Sequence, residues 1–292
     1  MKGKDIAAVL NFSSFRPEPD DPTAAWKRRF PNHRATFFGV GKQTLTVHPI
    51  GKNSRVGEAE IVPDAKELKE PLANIAPSLI ANSEGGWCAL SLNTRYVISL
   101  EANLSRRPGS ETILKTNPRT VLGGRFERGK RYALTHNPET NSSILLTCDE
   151  EFVKKLETQF KEAGFQVGRV CCGAYILLLH ALQAVNVTKG ADKAASAFIL
   201  VFCEGAVCAL VQSDDKWVEL RSRTDVYEAG DISPALDLVA PFQSRLPSGI
   251  PVVAVADTVL PGLDEALAQA FEGHPIQNLS QPNLLWNLMI QS

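Results

Sequence analysis

Short runs of β-branched and aromatic residues, broken by Gly, Pro and Asn, mark out strands from residue 34 onward. RATFFGV (34–40), QTLTVHPI (43–50) and EAEIV (58–62) read as three strands joined at Gly41 and at Gly51-Lys52-Asn53. Leu68, Leu72, Ile75, Leu79 and Ile80 then recur at helical spacing across 63–82, where Pro71 and Pro77 should bend or break the helix. WCALSLN (87–93) and YVISLEA (96–102) are further strands, and the polar, Gly-rich stretch 103–130 is a long excursion or a short helix between strands. RYALTH (131–136) and SILLTC (143–148) predict a hairpin. Asp149 is placed to cap an amphipathic helix over 150–164, with Phe152, Val153, Leu156, Phe160 and Ala163 on one face and Gly164 at its end. A strand at 166–172 and a nearly all-apolar, hence buried, helix at 173–185 follow.

The second half repeats the plan. Residues 198–223 read as three strands with two tight turns, followed by a helix over 232–246, a buried strand over 249–257, a helix over 261–273 and a short edge segment at 274–279. The apolar tail NLLWNLMIQS must pack somewhere or face a partner. Residues 37–61 and 200–223 share one order: strand, tight Gly turn (Gly41; Gly205), strand, polar turn, strand. Two β-β-β-α units in one chain predict an α/β protein of two related lobes with a cleft between them.

Composition narrows the chemistry. Of the 292 residues, 44% are apolar and 22% charged, enough for a well-buried core. A net charge of −1 supplies no overall field for nucleic acid. No apolar run of about 18 residues spans a bilayer and no secretory signal is evident, so a cytoplasmic location is expected. The six cysteines sit in apolar runs without C-x-x-C spacing, as structural residues rather than metal ligands do. GVGKQT (39–44) resembles the tail of a phosphate-binding loop, but Thr36 stands where the first Gly is required and Gln43 where a Ser or Thr binds magnesium. Arg119, Arg125, Arg128, Lys130 and Arg131 cluster around Gly123-Gly124 as a solvated loop or a dock for an acidic partner segment or a phosphate. His180 is expected in the core and Asp231 as a helix cap, and no nucleophile elbow or zinc signature occurs.

Four segments, in order, carry a resemblance over about residues 35 to 280: FFGVGKQTLTVH, EEFVKKLETQFKEAGFQVGRV with the following GAYILLLHAL, FCEGAVCALV, and LPGLDEALAQAFEGHPIQNL. Together they resemble the actin-like nucleotide-binding superfamily of sugar kinases, Hsp70 and actin. Within it they look most like the pilus-assembly PilM proteins and the cytoplasmic domain of the type II secretion GspL proteins. The resemblance implies an irregular segment at 1–33, a first lobe at 34–190 with a small inserted subdomain at about 94–168, and a second lobe at 191–292. It places the remnant of a nucleotide cleft at Gly39, Gly41, Lys42, Thr44, Gly205, Asp257 and Gly262.

Active members of that superfamily carry an Asp two residues before each hairpin glycine, to hold magnesium and orient the attacking water. This chain has Gly39 and Cys203 there, and neither is a magnesium ligand. The resemblance therefore implies a degenerate, non-catalytic scaffold with no catalytic residues, no metal and no cofactor. The alternative is an actin-like ATP-binding protein or kinase using ATP and magnesium. The implied partner is a membrane-anchored, PilN-like assembly protein or a secretion ATPase. It would be met at the inner face of the inner membrane in a type IV pilus or type II secretion platform.

Overall fold

Phe37, Phe38 and Val40 follow one another almost without a polar break because their strand is buried on both faces. That strand, β1 (Ala35–Val40), pairs antiparallel with β2 (Leu45–Pro49) and parallel with β4 (Gly86–Leu92). With β3 (Glu60–Ile61) and β8 (Phe165–Cys172) they form a five-stranded sheet of order β3-β2-β1-β4-β8. The computed structural model describes residues 12, 35–41, 45–49, 60–61, 86–104, 113–114, 116–137, 140–188, 194–228 and 231–291. The irregular segment expected at 1–33, apart from Phe12, and the helix expected at 63–82 lie outside the described residues.

The second sheet repeats the first strand for strand. Its order is β11-β10-β9-β12-β13, built from β9 (Ala197–Cys203), β10 (Ala206–Ser213), β11 (Lys216–Arg223), β12 (Val252–Ala256) and β13 (Ile276–Asn278). β9 pairs antiparallel with β10 and parallel with β12, as β1 does with β2 and β4. The duplicated α/β architecture expected from the sequence is thus present, and the short segment near the end is an edge strand.

Helices fill three layers. On one face of the first sheet, Phe160 of α2 (Glu150–Glu162) packs edge-on against Phe38 at 4.7 Å, and Phe165 meets the same ring at 5.2 Å. Asp149 caps α2 by accepting from Phe152 N, and Gly164, at φ +86°, ends it. On the other face, α3 (Gly173–Thr188) and α6 (Leu284–Gln291) sit between the lobes. Trp286 of α6 stacks on Phe37 at 5.6 Å, so the apolar tail packs into the main core. That core draws Phe37, Val40 and Cys172 from the first lobe and Val201, Leu210 and Val255 from the second. The outer face of the second sheet is covered by α4 (Ser233–Val239), a 3-10 turn (Ala240–Arg245) and α5 (Leu263–Ala270), which enclose Phe198, Leu200 and Phe202. The single helix expected over 232–246 is thus two pieces. Pro241 lacks the N–H that would continue the ladder.

Between β4 and α2 lies a three-stranded antiparallel sheet of order β5-β7-β6, made of β5 (Val97–Asn103), β6 (Lys130–His136) and β7 (Ser142–Asp149). The excursion between β5 and β6 contains the short helix α1 (Pro118–Leu122), whose Leu122 closes a small separate core with Tyr132, Leu134 and Leu145. α2 and β8, which follow, lie on the first lobe's sheet. The three-stranded sheet also reaches the second lobe, where buried Asn137 donates from Nδ2 to Asp215 O at 2.6 Å. Among the described residues, no helix is long and apolar enough to cross a membrane.

Candidate functional site

In open sheets with parallel strands, ligands bind beyond the carboxyl ends of those strands. Here four such ends converge between the lobes: β1 runs into Gly41, β4 into Asn93, β9 into Glu204 and β12 into Asp257. The duplication is visible in the bonding, since Asn93 N donates to Val40 O in one lobe and Asp257 N to Phe202 O in the other, both at 3.0 Å.

Asn93 is held by a 3-10 turn, Thr94–Tyr96, that its own side chain caps: Oδ1 accepts from Arg95 N at 3.0 Å. This fixes the amide so that Nδ2 points across the cleft, donating to Glu204 O at 3.1 Å and lying 3.5 Å from Glu204 Oε2. In the same turn Tyr96 donates to Gly41 O at 3.1 Å and stacks on Phe152, while Arg95 lies 3.8 Å from Asp225 of the second lobe. Residues 93–96 therefore tie the first hairpin to the second lobe.

The β9–β10 turn is a two-residue loop in which Glu204 and Gly205 both have positive φ, +49° and +78°, as a type I′ turn requires. Gly205 fits because a Cβ there would stand 3.0 Å from Tyr227 O. Glu204 adopts a conformation that a non-glycine residue occupies at some energetic cost, and its backbone N donates to Asp257 Oδ2 at 2.9 Å. Burial, then the neighbouring Asp257 charge, pushes the Glu204 carboxyl up to about 8, against the hydrogen bond from Asn93. Asp257 is also raised by burial, although the backbone N–H of Glu204 and that of Thr258 oppose it. At neutral pH Glu204 keeps its proton.

The space beside this pair is tightly packed. A methyl group at Gly173, the first residue of α3, would lie 2.7 Å from Leu285 Cδ2, 2.7 Å from Ser91 Oγ and 3.4 Å from Cys203 Sγ. Ser91 of β4 and Cys203 of β9, one from each lobe, thus both pack against the start of α3.

Of the residues singled out from the sequence, Gly39 lies buried in β1, paired with Thr46 and Ser91. Gly41, Gly205 and Asp257 come together through Tyr96, Asn93 and Glu204. Gly262 instead caps α5 at φ +74°. Lys42 and Thr44 lie outside the described residues. Sequence reasoning passed over Asn93, which follows a strand without forming part of a motif, and Glu204, a turn residue where an Asp two places before the glycine was sought. The signal for both was position: each directly follows a strand of the repeated unit.

All six cysteines are free and buried. Among the described residues no group of three His, Cys, Asp or Glu side chains could hold a metal. His180 is half-buried rather than in the core, and burial lowers its pKa. Asp231 caps its turn by accepting from Ser233 N. In the basic cluster, Arg131 is engaged by both carboxylate oxygens of Glu157 at 2.8 Å and by Phe12 O, whereas Arg119, Arg125 and Arg128 are exposed.

No family model matches the chain and no curated protein matches it. Solved structures do. PilM, in the PilM–PilN type IV pilus biogenesis complex, is 16% identical over 88% of this chain and 90% of that chain, with a TM-score of 0.57. A Bacteroides thetaiotaomicron protein described as having an actin-like ATPase fold and unknown function is 8% identical over 89% of this chain and 96% of its own, with a TM-score of 0.50. The cytoplasmic domain of EpsL, an inner-membrane component of the Vibrio cholerae type II secretion system, is 12% identical over 88% and 92%, with a TM-score of 0.48. The first two likenesses establish that the fold is that of the actin-like ATPases, as the four sequence segments implied.

Proposed function

We propose that this chain is a non-catalytic actin-like scaffold of a type IV pilus or type II secretion assembly platform. It would dock a membrane-anchored partner protein or a secretion ATPase at the cytoplasmic face of the inner membrane. The observation that carries the reading is the Asn93–Glu204 contact: strand ends that would face a nucleotide are bonded to each other. The close fit at Gly173 and the absence of magnesium ligands at Gly39 and Cys203 support it. So do the other links across the lobes, Arg95–Asp225 and Asn137–Asp215, which favour one fixed arrangement over the opening and closing that a nucleotide cycle needs. The likeness to PilM, solved together with PilN, suggests the type of partner.

Among the described residues, the two acids of the cleft are poorly suited to Mg·ATP. A protonated Glu204 is a poor magnesium ligand, and Asp257 accepts from backbone N–H groups instead. One observation favours the alternative of an ATP-binding protein. Ser91 Oγ and Thr94 Oγ1, on either side of Asn93, are buried and make no hydrogen bond. Isothermal titration calorimetry with ATP and magnesium, followed by phosphate release, separates the two. The scaffold reading expects neither heat of binding nor turnover, and micromolar affinity or any turnover abolished by Asp257→Asn overturns it.

A further inference from the structure

The charge along the chain is unevenly placed. Residues 105–131 carry eight Lys or Arg and two Glu, a net +6 in a chain whose total is −1, so the remainder carries −7. Part of this positive charge is internally paired: Arg131 with Glu157, and Lys130 with Asp149 at 4.0 Å. Arg119, Arg125 and Arg128 are different. All three are exposed, and among the described residues none makes an ion pair, although exposed Glu127 stands between the last two.

The segment that bears them, α1 and the loop after it, sits on one particular face. Tyr132 Oη donates to Glu127 O at 2.9 Å and accepts from Glu127 N at 2.7 Å, and the Phe126 ring packs 6.3 Å from that of Tyr132. The loop therefore lies on the Tyr132 side of the three-stranded sheet. Register carries that face across the strands: Tyr132 opposes Thr147, which opposes Ile98, and Leu134 opposes Leu145, which opposes Leu100. Ile98 and Leu100 stand on that same face and are 56% and 46% exposed. From Gly123 to Gly129 every residue except half-buried Phe126 is exposed, so the basic element projects from the sheet.

We propose that this face of the inserted sheet binds an anionic lipid surface. A projecting element of unpaired arginines beside exposed apolar side chains matches the headgroup boundary of a bilayer, where cations meet phosphate and aliphatic groups enter the acyl region. The acidic remainder of the chain is repelled by the same surface, which orients the molecule with this face down. Nothing in this inference depends on the scaffold role or on the state of the cleft.

Sedimentation of the full chain with vesicles tests it. The protein should pellet with phosphatidylglycerol–phosphatidylcholine vesicles, remain in solution with pure phosphatidylcholine, and be released by salt as the arginine charges are screened. The triple variant Arg119→Gln, Arg125→Gln, Arg128→Gln should bind on the order of 100-fold more weakly, roughly fivefold per arginine. Ile98→Ser with Leu100→Ser should weaken binding by about tenfold. Unchanged circular dichroism would show that these exposed substitutions leave the fold intact. No pelleting with the anionic vesicles, or equal pelleting of the triple variant, overturns the proposal. Salt-labile self-association or capture by polyglutamate, in either case without vesicle binding, would assign the arginines to a second copy or to an acidic protein and equally overturn it.

Discussion

Replacing Glu204 with glutamine tests the electrostatics of the cleft. The carboxyl titrates at about 8 in the folded chain against an ordinary value of 4.5, because it is buried beside Asp257. The folded state therefore holds this proton where the unfolded chain has released it. Stability is fully present below about pH 4.5 and declines as the pH rises through about 8, by at most about 5 kcal/mol at 1.36 kcal/mol for each pH unit. Asp257, raised in the same direction, adds a decline of the same sign. The glutamine side chain would reproduce the protonated acid, with a carbonyl for Asn93 and an amide donor toward Asp257, and it does not titrate. Urea midpoints at about pH 5, 7 and 9 should show wild type and Glu204→Gln matched at the acid end, with the variant more stable by several kcal/mol at the alkaline end. His180, lowered by burial, contributes the opposite slope to both proteins and cancels in the difference. If the variant follows wild type at every pH, Glu204 is ionised and solvated, and the closed cleft described above is wrong.

Gly173→Ala should cost about 1–3 kcal/mol, seen as a lower Tm, because the new methyl must displace Leu285 and Ser91 from 2.7 Å. Phe12→Ala should cost about 3–5 kcal/mol, since the ring is buried and its backbone N donates to Val170 O; an unchanged Tm would remove Phe12 from the core. The thiols should resist a disulfide reagent in the native protein and all six should react in guanidinium. Burial raises their pKa values, to about 12 at Cys148 and Cys208, and fast native labelling would refute their placement.

The architecture was legible in the sequence because strand signals survive in short windows. A run such as FILVFC reads as a buried central strand, and the tight turn at Gly205 fixes the hairpin that follows it. The same local reading located the helix cap at Asp149. It also placed the repeated unit that makes a cleft necessary. What it could not supply were contacts between distant residues. Asn93 meets Glu204 across 111 positions and Glu204 meets Asp257 across 53, so neither the charge state of the carboxyl nor the closure of the cleft is written in any window of the chain. Phe12 shows the same limit, since it falls in a segment expected to be irregular yet bonds to β8 and accepts from Arg131. The amino-acid order determined which strands exist and how they alternate. Only the packing of one lobe on the other decided which polar groups lost their water, and with it which protons they keep.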